Sequence, residues 1–139
     1  MKGQYLTLEY MIFFMIGIFM IISVYFSFSG MNDTYKKSIM QNQLQMTGEM
    51  ITGTIVNVYE SSNQTNSSVN YTLSIPTRLS TCIYSVIVFN GRLNLNCTNV
   101  PNSGVTLTLY NLNIVNKNII YSTNGLINLY ADNGRVELS

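Results

Sequence analysis

Few side chains in this sequence are of the types that carry out enzymatic chemistry. Histidine is absent, and the chain contains two cysteines and six carboxylates. The carboxylates are scattered, at Glu9, Asp33, Glu49, Glu60, Asp132 and Glu137. Their spacing matches neither a metal site nor a nucleophile with its base nor a catalytic carboxylate pair. We therefore expect a protein that is not an enzyme and that binds no metal or cofactor.

The two cysteines have the spacing most suggestive of a covalent bond. Cys82 and Cys97 flank Asn90-Gly91, a dipeptide typical of two-residue hairpin turns. With that turn, Cys82 faces residue 99, and Cys97 lies two residues away on the same face of the sheet. A disulfide is therefore predicted if this part of the chain is in an oxidising compartment. Two buried free thiols are the alternative.

The chain begins with a long apolar segment. Tyr10 to Gly30 contains no charged residue, and a helix over residues 10–29 would be about 30 Å long, which is enough to cross a bilayer. A secretory signal has a cleavage site of small residues after its apolar stretch, whereas here Lys2-Gly3 precedes it. Cleavage after Gly3 would remove residues 1–3 on the cytoplasmic side and leave the membrane segment on the mature chain. Lys2 favours a cytoplasmic N-terminus.

The helix is predicted to continue beyond the membrane segment. There is no proline between residues 32 and 59, and apolar residues recur there at spacings of 4, 7, 4 and 3. This periodicity places them on one helical face. The residues of this face are Met40, Leu44, Ile51, Ile55 and Val58. We expect one helix over residues 4–59, followed by a polar linker over residues 60–70.

The remainder of the chain, residues 71–139, is predicted to be an extracellular β domain. Short alternating segments indicate strands at 71–75, 82–89, 92–97, 105–114, 119–122, 126–131 and 136–138. Three Asn-Gly pairs, at residues 90, 124 and 133, predict hairpin turns between them. The fold class is therefore α+β, with a long N-terminal helix and a small antiparallel head, either a meander or a sandwich, whose inner face the helix covers.

The low charge of the chain bears on its possible partners. Charged residues make up 9% of the chain and the net charge is +1, so no basic stripe is present and a nucleic-acid partner is not expected.

Five Asn-x-Ser/Thr triplets are candidate N-glycosylation sites. These sites are Asn32, Asn63, Asn66, Asn70 and Asn96.

These features carry a family resemblance. Lys2-Gly3-Gln4, followed by Glu9 and an apolar helix, resembles the class III signal peptide of archaeal type IV pilin-like proteins. The later part, with Ile75-Pro76, Cys82-Ile83-Tyr84 and the segment from Tyr121 to Gly125, is similar to uncharacterised pilin-like proteins of methanogenic archaea. The resemblance implies an N-terminal helix and a β-rich head.

The resemblance also implies a function and a set of partners. A prepilin peptidase would cut between Gly3 and Gln4, and the helix would then leave the membrane and pack against other pilin subunits in a surface pilus. The assembly machinery would be a further partner, and we expect a minor subunit. In the family a glutamate at the fifth mature position neutralises a neighbour's terminal amine, but Glu9 would be sixth, which leaves its partner or the exact cleavage point open.

A second interpretation uses the same sequence features differently. The chain could remain uncleaved, as a single-pass membrane-anchored protein whose β domain binds a partner at the cell surface, or as an archaellum accessory component. Processing before Gln4 distinguishes a pilin from such a tether.

Overall fold

The computed structural model of the chain describes residues 2–110, 112–116 and 118–139. Its elements are one long helix, eight strands and one short 3-10 helix. The predicted α+β class is confirmed. The elements are α1 (Lys2–Thr65), β1 (Val69–Ser74), β2 (Tyr84–Phe89), β3 (Arg92–Cys97), β4 (Gly104–Thr108), β5 (Asn113–Asn116), β6 (Ile120–Tyr121), a 3-10 helix (Ser122–Asn124), β7 (Leu126–Asp132) and β8 (Arg135–Leu138).

The chain divides into two compact units, and the division falls within α1. The first unit ends at Ser38 and the second comprises Ile39–Ser139. In the first unit, every side chain from Leu6 to Ser38 is exposed. In the second unit, the C-terminal part of α1 packs with the strands to form the β-rich head, and these elements share one hydrophobic core.

The predicted apolar face of the helix is the face that enters this core. Leu44, Ile51 and Ile55 are completely buried, and Met40 and Val58 are nearly so. Thr47 and Ser62 continue the same buried stripe, with small side chains where the helix lies close to its surroundings. The periodicity in the sequence therefore identified the core-facing side of the helix correctly.

The helix ends later than the sequence predicts. It continues to Thr65, where the prediction placed its end at residue 59 and a linker over residues 60–70. Ser62 is buried, and its hydroxyl donates a 2.9 Å hydrogen bond to the Ser67 carbonyl, so the end of the helix is tied to the connection that follows it. Asn66 adopts a left-handed conformation (φ 47°) that ends the helix. The connection to β1 is consequently reduced to residues 66–68.

The strands form two four-stranded sheets. The first sheet has the order β1-β7-β8-β5 and the second the order β4-β3-β2-β6. All pairings are antiparallel except that of β5 with β8, which is parallel. Non-consecutive strands are therefore neighbours in both sheets, so the head is not a simple meander.

One predicted strand is divided between the two sheets. The segment 105–114 was expected to be continuous, but β4 belongs to the second sheet and β5 to the first. The chain turns at Leu109, which is buried and whose amide donates to the Gly91 carbonyl at 2.8 Å. Tyr110 follows with a positive φ of 21°. Leu109 continues the inward positions of Val105 and Leu107. The strand ends where Tyr110 takes its positive φ and the Leu112 amide donates to the Leu109 carbonyl at 3.1 Å, which is why one strand becomes two.

Two of the three Asn-Gly pairs form the predicted hairpin turns. Asn90-Gly91 has φ values of 50° and 68°, and Phe89 pairs with Arg92 across the turn. Asn133-Gly134 has φ values of 45° and 77° and joins β7 to β8. Positive φ at both central residues is the geometry for which Asn-Gly is favoured.

The third pair has a different role, and that hairpin prediction is wrong. Asn124 is the last residue of the 3-10 helix, and Gly125 caps it with φ 70° and an amide that donates to the Ser122 carbonyl at 3.0 Å. This turn carries the chain from β6 in one sheet to β7 in the other. A positive φ was required here, but by a helix cap instead of a hairpin.

Candidate functional site

The most prominent candidate surface is the apolar part of α1. Its most apolar 18-residue window has a mean hydropathy of 2.4, and by length and composition this helix is able to cross a membrane. Large apolar side chains point outward all around it. They include Leu8, Met11, Phe14, Ile18, Phe19, Ile22, Tyr25 and Phe28. A helix of this kind is suited to membrane anchoring or secretion.

The residues implicated in processing and assembly lie at the start of this helix. The backbone of Gly3 and Gln4 belongs to α1, and their side chains lie outside the described residues. Glu9 is exposed and immediately precedes the uncharged stretch that begins at Tyr10. None of the described residues forms an ion pair with Glu9.

The two cysteines are joined by a disulfide. The Cα atoms of Cys82 and Cys97 are 5.6 Å apart and the dihedral angle about the S–S bond is −110°. In the strand register, Tyr84 is the residue that pairs with Cys97, so Cys82 is its diagonal neighbour as predicted. Cys82 is fully buried, and the Cys97 sulfur lies 3.8 Å from the thioether sulfur of Met40 on α1. The disulfide is consistent with an extracellular head.

A hydrogen-bonded cluster that the sequence did not reveal anchors the start of β2. Ser122 is buried, and its hydroxyl accepts from the Tyr84 amide at 3.1 Å and donates to the Thr77 carbonyl at 2.9 Å. The Tyr84 hydroxyl donates to the Pro76 carbonyl at 2.7 Å. Burial raises the pKa of Tyr84 to about 12. These polar groups are internally satisfied, so the cluster is structural and offers no free group for chemistry.

All five candidate glycosylation sites are exposed, although their local structures differ. Asn32 and Asn63 lie on α1, Asn66 follows the end of the helix, Asn70 lies on β1 and Asn96 on β3. The three sites expected in one loop therefore occupy a helix, a turn and a strand.

The described residues contain no group of three or more His, Cys, Asp or Glu side chains that could hold a metal ion. Comparison of the chain with protein-family models, curated proteins and solved structures found no significant match. The arrangement of a long apolar N-terminal helix followed by a β-sheet head is a pilin-like architecture.

A second surface, which the sequence analysis did not single out, lies on the outer face of the second sheet. A shallow depression of about 490 Å³ is lined there by Phe89, Asn90, Arg92, Asn94 and Thr106. The sequence signal that points to it is the absence of any Asp or Glu between Glu60 and Asp132, a stretch that contains both Arg92 and all four strands of this sheet.

Proposed function

We propose that the chain is a non-enzymatic structural subunit of the archaeal type IV pilin-like class, a minor pilin that assembles into surface pili. A prepilin peptidase would cleave it between Gly3 and Gln4. The precursor would reside in the cell membrane with its N-terminus in the cytoplasm, and the head would lie outside the cell. Other pilin subunits and the assembly machinery are the proposed partners.

The observation that carries this proposal is that every side chain from Leu6 to Ser38 is exposed on an apolar helix. Such a helix is stable in lipid or when surrounded by other apolar helices, and it is unstable in water. Transfer from the membrane into a bundle of identical helices exchanges one apolar environment for another. Pilus assembly makes use of this exchange, since the same helical surface serves first as an anchor and then as an interface.

The proposal is tested by the intact mass of the protein in native membranes and in sheared surface filaments. Loss of residues 1–3 and presence of the chain in the sheared fraction are expected for a processed pilin. A mass lower by one further glutamine would place the cleavage after Gln4 and make Glu9 the fifth mature residue. A full-length chain confined to membranes would overturn the proposal and favour the uncleaved surface tether.

Glu9 provides a second test. Glu9→Gln removes the charge proposed to neutralise a neighbour's terminal amine, so we expect normal processing but a strongly reduced amount of protein in the sheared fraction. Glu49→Gln is the matched control, because Glu49 is an exposed glutamate of the same helix that accepts a 3.0 Å hydrogen bond from Gln45. Equal amounts of both variants in filaments would contradict the assembly role of Glu9.

A further inference from the structure

The depression on the second sheet combines side chains of three kinds at the β2–β3 hairpin. The strand register places Phe89 opposite Arg92 and Arg92 opposite Thr108, while Asn94 lies opposite Thr106 in the next row. An aromatic ring, a guanidinium group, an amide and a hydroxyl thus share one open face.

Phe89 supplies an exposed apolar surface. Its side chain is 67% exposed although it lies on a strand whose other apolar residues are buried or half-buried. Most of the ring therefore lies outside the core, and covering it by a ligand would remove apolar area from water. The ring therefore favours a ligand with a flat apolar face.

Arg92 supplies an unneutralised positive charge. Within the described part of the chain it forms no ion pair, and no Asp or Glu occurs from residue 61 to residue 131. The first sheet is different, since Arg135 lies 3.5 Å from the Glu137 carboxylate there. The charge on the second sheet is therefore complementary to an anion from outside, and guanidinium groups bind carboxylates through paired hydrogen bonds.

Asn94 and Thr106 supply oriented neutral hydrogen-bonding groups. The Thr106 hydroxyl donates to the Asn94 side-chain oxygen at 2.8 Å. This bond leaves the Asn94 NH2 group to donate and the Thr106 oxygen to accept. A donor and an acceptor held side by side match adjacent hydroxyl groups of a sugar.

We propose that this depression binds an acidic carbohydrate. The C–H face of a sugar ring would stack on Phe89, its carboxylate would pair with Arg92, and its hydroxyl groups would bond to Asn94 and Thr106. An acidic peptide is the competing ligand for Arg92, and the test below compares the two directly. The site goes beyond filament assembly and does not depend on it, because every group involved belongs to the head.

The test measures binding of a glucuronate-containing hexasaccharide to the full chain in lipid nanodiscs by calorimetry. Its carboxyl-reduced, neutral counterpart is measured in parallel. Because Asn96 lies on the same face and is a candidate glycosylation site, the protein carries Asn96→Gln in all measurements. We expect the acidic sugar to bind at least about tenfold more tightly than the neutral one, as for a charge-assisted hydrogen bond.

Substitutions in the depression test whether the sugar binds there. Phe89→Ala and Arg92→Gln should each weaken binding by about tenfold or more. Both side chains are exposed, so the thermal unfolding midpoint should stay close to that of the parent protein. Tyr130→Ala is the matched control, because Tyr130 is an aromatic residue 42% exposed on the first sheet. Absence of saturable binding, equal binding of the neutral sugar, or equal losses with Tyr130→Ala would each overturn the proposal. Binding of an aspartate-rich peptide in preference to the sugar would also overturn it.

Discussion

Gly48 on α1 lies directly against Leu107 on β4. A Cβ atom at position 48 would lie 2.5 Å from Leu107 Cδ1 and 3.3 Å from Leu95 Cδ1. Gly53, only five residues later on the same helix, has open space at the corresponding position. The two glycines therefore separate the effect of close helix–sheet packing from the general cost of glycine in a helix.

Valine substitutions at these two positions should differ in their effect on stability. Gly48→Val forces Leu107 and Leu95 to move and should lower the free energy of unfolding by about 1–3 kcal/mol. Gly53→Val places the same side chain in solvent and should raise stability slightly, by up to about 0.5 kcal/mol. Chemical denaturation of both variants in the same detergent measures the difference. Equal stabilities would contradict the close approach at Gly48.

Truncation of a side chain on the buried face of α1 should lower the free energy of unfolding. Ile55→Ala removes a completely buried side chain and should cost about 2–5 kcal/mol. Met46→Ala, at a position 69% exposed on the same helix, should change stability by less than about 0.5 kcal/mol. Thermal unfolding followed by circular dichroism compares the two. A similar shift in both would mean that the helix does not pack against the sheets through this face.

The disulfide should contribute substantially to the stability of the head. It closes a loop with a sequence separation of 15 residues, for which the chain-entropy account gives about 3 kcal/mol. The double variant Cys82→Ala with Cys97→Ala should be destabilised by roughly that amount. If reductant is added to the unfolded parent protein, the refolded protein should show the same loss of stability. The double variant should be unaffected by reductant. If reduction leaves the stability of the parent protein unchanged, the disulfide does not stabilise the head.

Tyr84 should make the head sensitive to alkaline pH. Burial raises its pKa in the folded state from 10.0 to about 12, so the folded state holds this proton more tightly than the unfolded chain. The associated stabilisation is complete below pH 10.0 and is lost as the pH rises to about 12. Tyr84→Phe should remove this part of the pH dependence and cost about 1 kcal/mol at neutral pH through the lost bond to Pro76.

An ultraviolet titration checks the assignment. The difference in phenolate absorbance between the parent protein and Tyr84→Phe isolates this residue, and its midpoint should lie near 12. A difference curve centred at 10.0, the ordinary value, would contradict burial of the hydroxyl.

The features that sequence predicted correctly depend on local patterns. The buried face from Met40 to Val58 follows from helical periodicity, and the turns at Asn90-Gly91 and Asn133-Gly134 follow from the backbone conformation that each requires. The cysteine pairing follows from the first of these turns, because a two-residue loop sets the strand register. In each case the prediction depends only on residues that are close together in the sequence.

The features that sequence did not predict depend on tertiary contacts. Residues 60–65 are polar enough to suggest a linker, yet they are helical and Ser62 is buried. The segment 105–114 alternates like one strand, yet the backbone turns at Tyr110 and the chain changes sheets. The depression beside Phe89 is formed by three strands, and only their register brings its polar groups together.

The position of β8 has a consequence for how the head is completed. Although β8 is the eighth strand along the chain, it lies inside the first sheet, between β7 and β5. Within the described part of the chain, β5 pairs with no strand other than β8, so it has no partner until Arg135–Leu138 arrives. Under the export proposed above, a chain that emerges from a translocation channel in sequence order would keep this sheet open while its earlier strands are already outside. Folding of the head would then follow export, and a nascent chain held in the channel before β8 would expose two unpaired strand edges to whatever chaperone or neighbour is present.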